Sequence, residues 1–377
     1  MQRRDFIRRA SAVASTISLS SVVPSRRAAD RDDARVVSHA GLEDLVVDGS
    51  DVSTLTPAYL AMLKQAGVGC CMWNGYSRWF NGLPYFVTVY DFLAANRDQV
   101  AVVKNVGDIR KAQADGKVAL VLGWQSAEPL VDEPDEWFRN PPRLHLRAYY
   151  ELGLRVCGIA YNLANVFGGG CLDPQVGLTR AGRALVEQIH RLGILLDVGG
   201  HTGEQTSLDA IAMSAGVPVI CSHANAATLV DNPRNISDRL IEAIARTGGV
   251  IGITAVNDFQ ARARKDAAVP STPRVSVDRM LDHVDHVKRL VGIDHVALGP
   301  DFTEAVNVRI DPETSFYFPP DMASKQQPIN YVDGFERITE LPNVVNGLRR
   351  RGWSGAEVRK LLGANWLGVY RRVWGEG

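Results

Sequence analysis

Two histidines follow short apolar runs in this chain: His201 comes after ILLDVGG and His223 after VPVICS. Neutral imidazoles on neighbouring strand ends are the commonest start of a metal centre. Asp301 closes a third run, HVALGPDF, and brings a carboxylate suited to moving a proton. Other apolar runs also end in polar groups. Asp48, Ser50 and Asp51 close the first, Trp73 and Asn74 the second, Gln125 the third, Tyr161 and Asn162 the fourth, and Thr254 the seventh. Two histidines and an aspartate drawn from three strands make a constellation for metal-assisted proton transfer.

Those residues act together only if the strands converge. The runs are LVVDGSDV (45–52), GVGCCMW (67–73), KVALVLGWQ (117–125), RVCGIAYN (155–162), ILLDVGGH (194–201), VPVICSH (217–223), GVIGITA (249–255) and HVALGPDF (295–302). They are nearly continuous in apolar character, as parallel strands covered on both faces are. Helical stretches separate them: 179–193 between Thr179 and Gly193, 236–249 with Ser237 and Gly248, and 276–292 opening at Ser276. Eight such units predict an α/β fold, a (β/α)8 TIM barrel whose site lies at the C-terminal ends of its strands. Segments 74–116 and 303–350 are long insertions, expected to act as lids or binding loops; the second contains Phe316, Tyr317, Phe318, Pro319 and Pro320. A last helix over 354–374 is expected to close the barrel.

Composition limits the partners. Lys+Arg 42 equals Asp+Glu 42, so no nucleic-acid or polyanion partner is implied by charge. No run is long and apolar enough for a stable membrane span. The five cysteines lack CxxC spacing, and Cys70, Cys157 and Cys221 read as buried, inert thiols. His283 and His286, three apart in DHVDHVKR, read as a solvated helix face rather than as ligands. His295 falls at the far end of the eighth strand, and the sequence assigns no role to His39, His145 and His190. The N-terminus differs in kind. Arg3-Arg4-Asp5-Phe6-Ile7-Arg8 and a mild Ala/Ser/Val stretch over residues 1–30 fit a twin-arginine export signal, with small residues at Ala28-Ala29 for cleavage. Residues 31–377 then form one barrel domain, exported to the periplasm or beyond.

From about residue 45 to 373 the chain resembles the renal (membrane) dipeptidase family of metal-dependent hydrolase barrels. The resemblance is carried by SHANAATLVDNPRNISDRLIEAIARTGGVIGI (222–253), GIDHVALGPDF (292–302) and LRRRGWSGAEVRKLLGANWLGVY (348–370). It implies zinc-dependent cleavage of dipeptides, two ions bridged by a glutamate, and a homodimer. It further implies that His201 and His223 ligate one ion, that Arg234 holds the substrate carboxylate, and that Asp301 passes a proton to the leaving amine.

The departures are informative. The family's first strand reads DGHND, whereas this chain has Asp48-Gly49-Ser50-Asp51-Val52, so Ser50 and Val52 replace a histidine and an aspartate that ligate. Gln125 stands for the bridging glutamate and Tyr161 for a histidine that polarises the carbonyl. Gly199-Gly200 adds a residue before His201. With these changes the resemblance implies one zinc ion rather than two, held by His201 and His223 with help from Gln125, Asp301 or Tyr161. Asp48 and Asp51 are candidates for an oxygen-rich replacement site, although spacing gives no geometric reason to expect one. Tyr161 and Asp301 are the candidate catalytic groups, and Arg234 and Asn162 the candidate substrate contacts. The function expected is hydrolysis of a dipeptide or small amide with a free carboxylate. Two rivals are the same barrel turned to lyase or isomerase chemistry, and a non-catalytic protein that holds a small carboxylate.

Overall fold

The computed structural model describes residues 42–74, 82–131, 144–262, 272–304 and 329–377. The twin-arginine segment, His39 and the aromatic stretch at 316–320 lie outside the described residues.

Each of the eight apolar runs contains a parallel strand: β1 (Val46–Asp51), β2 (Val68–Trp73), β4 (Val118–Trp124), β5 (Leu154–Cys157), β6 (Leu195–Asp197), β7 (Val219–Ala224), β8 (Ile251–Ile253) and β9 (Val296–Leu298). Their order in the sheet is β1-β2-β4-β5-β6-β7-β8-β9. The ring closes just beyond β9, where Asp301 N donates to Ser50 O at 2.8 Å and Val52 N to Phe302 O at 2.9 Å.

A ninth strand, β3 (Val100–Val102), pairs with the start of β4 outside the ring. It lies in the 74–116 segment. Where described, that segment is not an irregular lid but two helices around β3, α2 (Gly82–Ala95) and α3 (Val106–Ala114). Three residues of strand were too short a run to register beside their neighbours. The second predicted insertion, 303–350, is partly regular as well, since α9 (Leu341–Arg350) forms its last turns.

Capping chemistry sets the helix boundaries. In α5 (Arg180–Leu192) the Thr179 side chain accepts from Gly182 N, and Gly193 ends the helix at φ 73°. Ser237 caps α7 (Asp238–Arg246) in the same way, while Ser276 precedes α8 (Val277–Val291) without a side-chain capping bond. On α5, Ala181, Leu185, Val186 and Ile189 recur at helical spacing and are buried against the strands. Burying one such aliphatic side chain is worth roughly 1.5–3 kcal/mol, and Leu185→Ala should cost about 2–5 kcal/mol.

Two apolar layers result. One lies between the ring and its outer helices and includes Val46, Cys71, Leu120, Leu196 and Leu298, with Tyr59, Leu60 and Leu63 of α1 (Pro57–Gln65). The other joins Val47, Cys70, Met72, Val121, Val156, Ile220 and Ala297 to Trp366 and Tyr370 of the C-terminal helix. That helix runs through Gly355–Arg359, a π turn at Lys360–Ala364, and Asn365–Trp374. A Cβ at Gly363 would stand 1.8 Å from the Leu45 carbonyl oxygen, so only glycine lets the π turn sit against β1. Trp366 Nε1 donates to Leu298 O at 2.9 Å, and the indole fills one end of the ring. The opposite end is left for chemistry.

Candidate active site

His223, near the end of β7, is held by a relay. Ser222 Oγ lies 2.7 Å from His223 Nδ1 and 2.5 Å from Asp197 Oδ2, and Ser222 N donates to Asp197 Oδ1 at 2.8 Å. Asp197 accepts both Ser222 donors, which leaves Ser222 Oγ to accept from the ring. This assigns the proton to Nδ1 and the lone pair to Nε2. Ser50 Oγ lies 3.2 Å from the same Nδ1 and receives Asn74 Nδ2 at 3.0 Å. A serine therefore supports the second histidine where the family pattern places a ligating one.

His201 follows β6 by a turn through Gly199 (φ 75°) and Gly200 (φ 57°), a left-handed path that glycine takes without strain. Its Nδ1 faces Asn162 Oδ1 at 2.8 Å, and its Nε2 accepts from Arg234 Nη2 at 3.2 Å. Asn162 is itself left-handed, at φ 62°, a conformation that Asn tolerates. The Tyr161 ring stacks on His201 with centroids 3.8 Å apart, and the two imidazoles are 5.0 Å apart.

Gln125 links the remaining groups. Its Nε2 lies 3.5 Å from His223 Nε2 and donates to Asp301 Oδ1 at 3.3 Å. The Asp301 carbonyl oxygen accepts from Tyr331 Oη at 2.9 Å, and its backbone sits at φ 64°. His201, His223, Gln125, Asp301, Arg234, Asn162 and Tyr161 thus share one rim.

Burial sets the protonation states. It drives both imidazoles well below their ordinary range, with Arg234 adding to the effect, so both rings are neutral. Burial also pushes Asp301 up to about 7 against the downward pull of Arg234, and Asp197 up to about 7 against its Ser222 donors. Arg234 is only 8% exposed. Its Nη1 has no hydrogen-bond partner, and among the described residues no carboxylate makes an ion pair with it. The Phe259 ring centroid lies 5.0 Å from the Arg234 Cζ.

The rim offers a metal ion two imidazole lone pairs, although the donor atoms of His201, His223 and Asp301 do not all come within 4.8 Å of one another. Both Nε2 atoms carry lone pairs that currently meet only N–H donors, and the Asp301 carboxylate shares Gln125 with one of them. The positions that would serve a second ion in the family pattern are Ser50, engaged with His223 and Asn74, and the apolar Val52. They offer neither imidazole nor carboxylate.

The strands alone did not reveal Asp197 and Ser222. Their signal was present as the polar residues breaking ILLD and VPVICS. His283 corrects a reading: it is fully buried rather than solvated, and its Nδ1 accepts from Ala226 N at 3.1 Å. His286 pairs with Asp238 at 2.7 Å, His295 Nδ1 with Gly249 O at 2.8 Å, and His190 Nε2 with Ser214 Oγ at 3.0 Å. All five cysteines are free and buried.

A closed parallel barrel with neutral histidines, a carboxylate and a buried guanidinium at one rim defines a barrel hydrolase. Residues 81–312 match the family model of membrane dipeptidase, peptidase family M19, and the chain belongs to that family. It is 30% identical over 290 residues to an uncharacterized protein in the pqqA 5' region of Klebsiella pneumoniae, covering 75% of this chain and 92% of that one. Dipeptidase tcpJ of Claviceps purpurea is 27% identical over 279 residues, covering 73% of this chain and 56% of the fungal protein. The chain thus spans little more than half of that dipeptidase. Among solved structures, an amidohydrolase from Pseudomonas aeruginosa superposes with TM-score 0.75 at 26% identity, over 89% of this chain and 98% of that one. A metallopeptidase, dipeptidase AC, has the same fold, with TM-score 0.67 at 23% identity over 88% and 99%. The chain is a hydrolase of the dipeptidase family, and metal dependence comes with that family. Among the described residues no helix is long and apolar enough to cross a membrane.

Proposed function

We propose that this protein is an exported hydrolase that uses one metal ion, zinc by family, to cleave a dipeptide or similar small amide bearing a free carboxylate. The observation that carries the reading is Arg234, a buried guanidinium with a bare Nη1 beside the two histidines. A buried cation with no carboxylate in direct contact is costly, and a substrate carboxylate relieves that cost through a bidentate fork.

With the carboxylate on Arg234, the scissile amide of a dipeptide falls over the rim that bears His223, Gln125 and Asp301. Asp301, near pH 7 in its own titration, is suited both to accept a proton from attacking water and to return it to the leaving amine. Gln125 fixes that carboxylate by donating to Oδ1. Water adds OH to the acyl carbon and hydrogen to the nitrogen. His201 and His223 would hold the ion, and a bound Zn2+ supplies a water with a pKa near 7 and polarises the carbonyl. Tyr161 walls the pocket along His201, and Asn162 orients that ring.

The test is ion stoichiometry and dipeptide turnover of the purified chain. One ion lost together with activity in a His201→Ala/His223→Ala variant supports the reading; full turnover in that variant overturns it. Ser50, Val52 and Gln125 favour one rival, non-hydrolytic chemistry on the same rim, and incorporation of labelled water oxygen into product decides between them. Export rests on the Arg3-Arg4 motif. Replacing both arginines by lysine should retain the protein in the cytoplasm of a twin-arginine-competent host.

A further inference from the structure

We propose that Asp48, Asp51 and Cys71 form a separate cation site in the barrel wall, between β1, β2 and α1, for a borderline divalent ion such as Zn2+. Donor atoms of these three side chains lie within 4.8 Å of one another, and all three residues are buried. Among the described residues no other group of three such side chains converges in this way.

The site shares no ligand with the rim histidines, although Ser50 connects the two, its N donating to Asp48 Oδ1 and its Oγ lying 3.2 Å from His223 Nδ1. Asp48 and Cys71 are cross-strand partners on β1 and β2. Cys71 packs in the layer with Tyr59, Leu60 and Leu63 of α1, whereas its neighbours Cys70 and Met72 belong to the layer that holds Trp366. Tyr59 Oη reaches to 3.5 Å from Cys71 Sγ. The irregular register between Asp48 and Asp51 brings the second carboxyl onto the same cluster.

Each carboxyl has one oxygen tied to backbone: Asp48 Oδ1 accepts from Ser50 N at 3.1 Å and Asp51 Oδ1 from Ser53 N at 2.6 Å. Amide donors favour the charged form. The other oxygens, Asp48 Oδ2 and Asp51 Oδ2, are buried without a hydrogen-bond partner. Burial pushes both carboxyls up, Asp51 to about 6, against those amide donors, so the pair is driven toward sharing a proton unless a cation lies between them. Two oxygens and a sulfur suit Zn2+ better than Mg2+ or Ca2+, because thiolate is a poor ligand for hard cations. On binding, the Cys71 thiol releases its proton to solvent and the sulfur coordinates. The ion would brace the bend at Gly49 and Ser50 that presents Ser50 to His223.

The test uses the full chain, stripped with chelator and reloaded with Co2+, whose bonds to thiolate give a near-ultraviolet charge-transfer band. The band should appear in the wild type and persist in His201→Ala/His223→Ala, so this inference stands or falls separately from the proposed hydrolase site. It should vanish in Cys71→Ser. Asp51→Asn should weaken Co2+ binding there at least tenfold and serves as the second variant should Cys71→Ser fail to fold. A Co2+-loaded wild type without the band overturns the proposal and leaves a proton shared between the two aspartates. So does a band that survives in Cys71→Ser, which would mark another thiol such as Cys171.

Discussion

Arg234 Nη2 stands 3.2 Å from His201 Nε2, so a buried guanidinium leans on an imidazole lone pair where a carboxylate would ordinarily sit. The arrangement is poor for stability and good for capturing an anion. Arg234→Met should therefore lower kcat/KM by about 10²-fold or more, roughly 3 kcal/mol. In the absence of substrate the same variant should unfold at a higher denaturant midpoint, because an unpaired buried charge is gone. Steady-state kinetics and urea unfolding on one preparation check both signs.

The Asp197–Ser222–His223 relay fixes which nitrogen of His223 faces the rim. Ser222→Ala removes the link and strands a buried carboxylate. We expect a stability loss of about 1–3 kcal/mol and about 10–100-fold weaker metal binding. Metal titration should show the loss even where the folded protein keeps its circular dichroism spectrum.

Gln125 donates to Asp301 and points its amide at His223. Gln125→Glu replaces that donor with a negative charge next to an acceptor. The metal-free variant should lose about 1–3 kcal/mol of stability, and added Zn2+ should raise its midpoint more than it raises that of the wild type. Thermal unfolding with and without metal measures the difference.

His283 gives the clearest pH dependence outside the site. Burial, with Arg279 adding to it, pushes its imidazole down to about 3, whereas the unfolded side chain titrates near 6.5. The unfolded chain thus binds the extra proton first. The stability tied to neutral His283 is fully present above pH 6.5 and is lost as the pH falls from 6.5 toward 3, about 5 kcal/mol in all. His283→Gln, which can still accept from Ala226 N, should flatten the acid limb of the stability curve over that window.

Strands buried on both faces advertise themselves as apolar runs, which is why eight of the nine were legible and the three-residue β3 was not. The rim was legible where a polar residue interrupts such a run, as at His223, Gln125 and Asp301. What the sequence hid was side-chain partnership. Nothing in VPVICSH says that Ser222 binds Asp197, and nothing in DGSDV says that Asp48 and Asp51 meet Cys71 rather than the rim. His283 was misread because its helix face looks charged in sequence, whereas α8 turns that residue toward β7. Those relations depend on bulges and on helix rotation, which local periodicity does not encode.

The central claim is that Arg234 selects substrates with a free carboxylate. It is tested most directly by comparing kcat/KM for a dipeptide and for the same dipeptide amidated at its C-terminus, in the metal-loaded wild type and in Arg234→Met. The account predicts that the wild type prefers the free acid by about 10²-fold or more and that the variant loses most of the preference. Equal turnover of acid and amide by the wild type, or a preference unchanged in Arg234→Met, would contradict it.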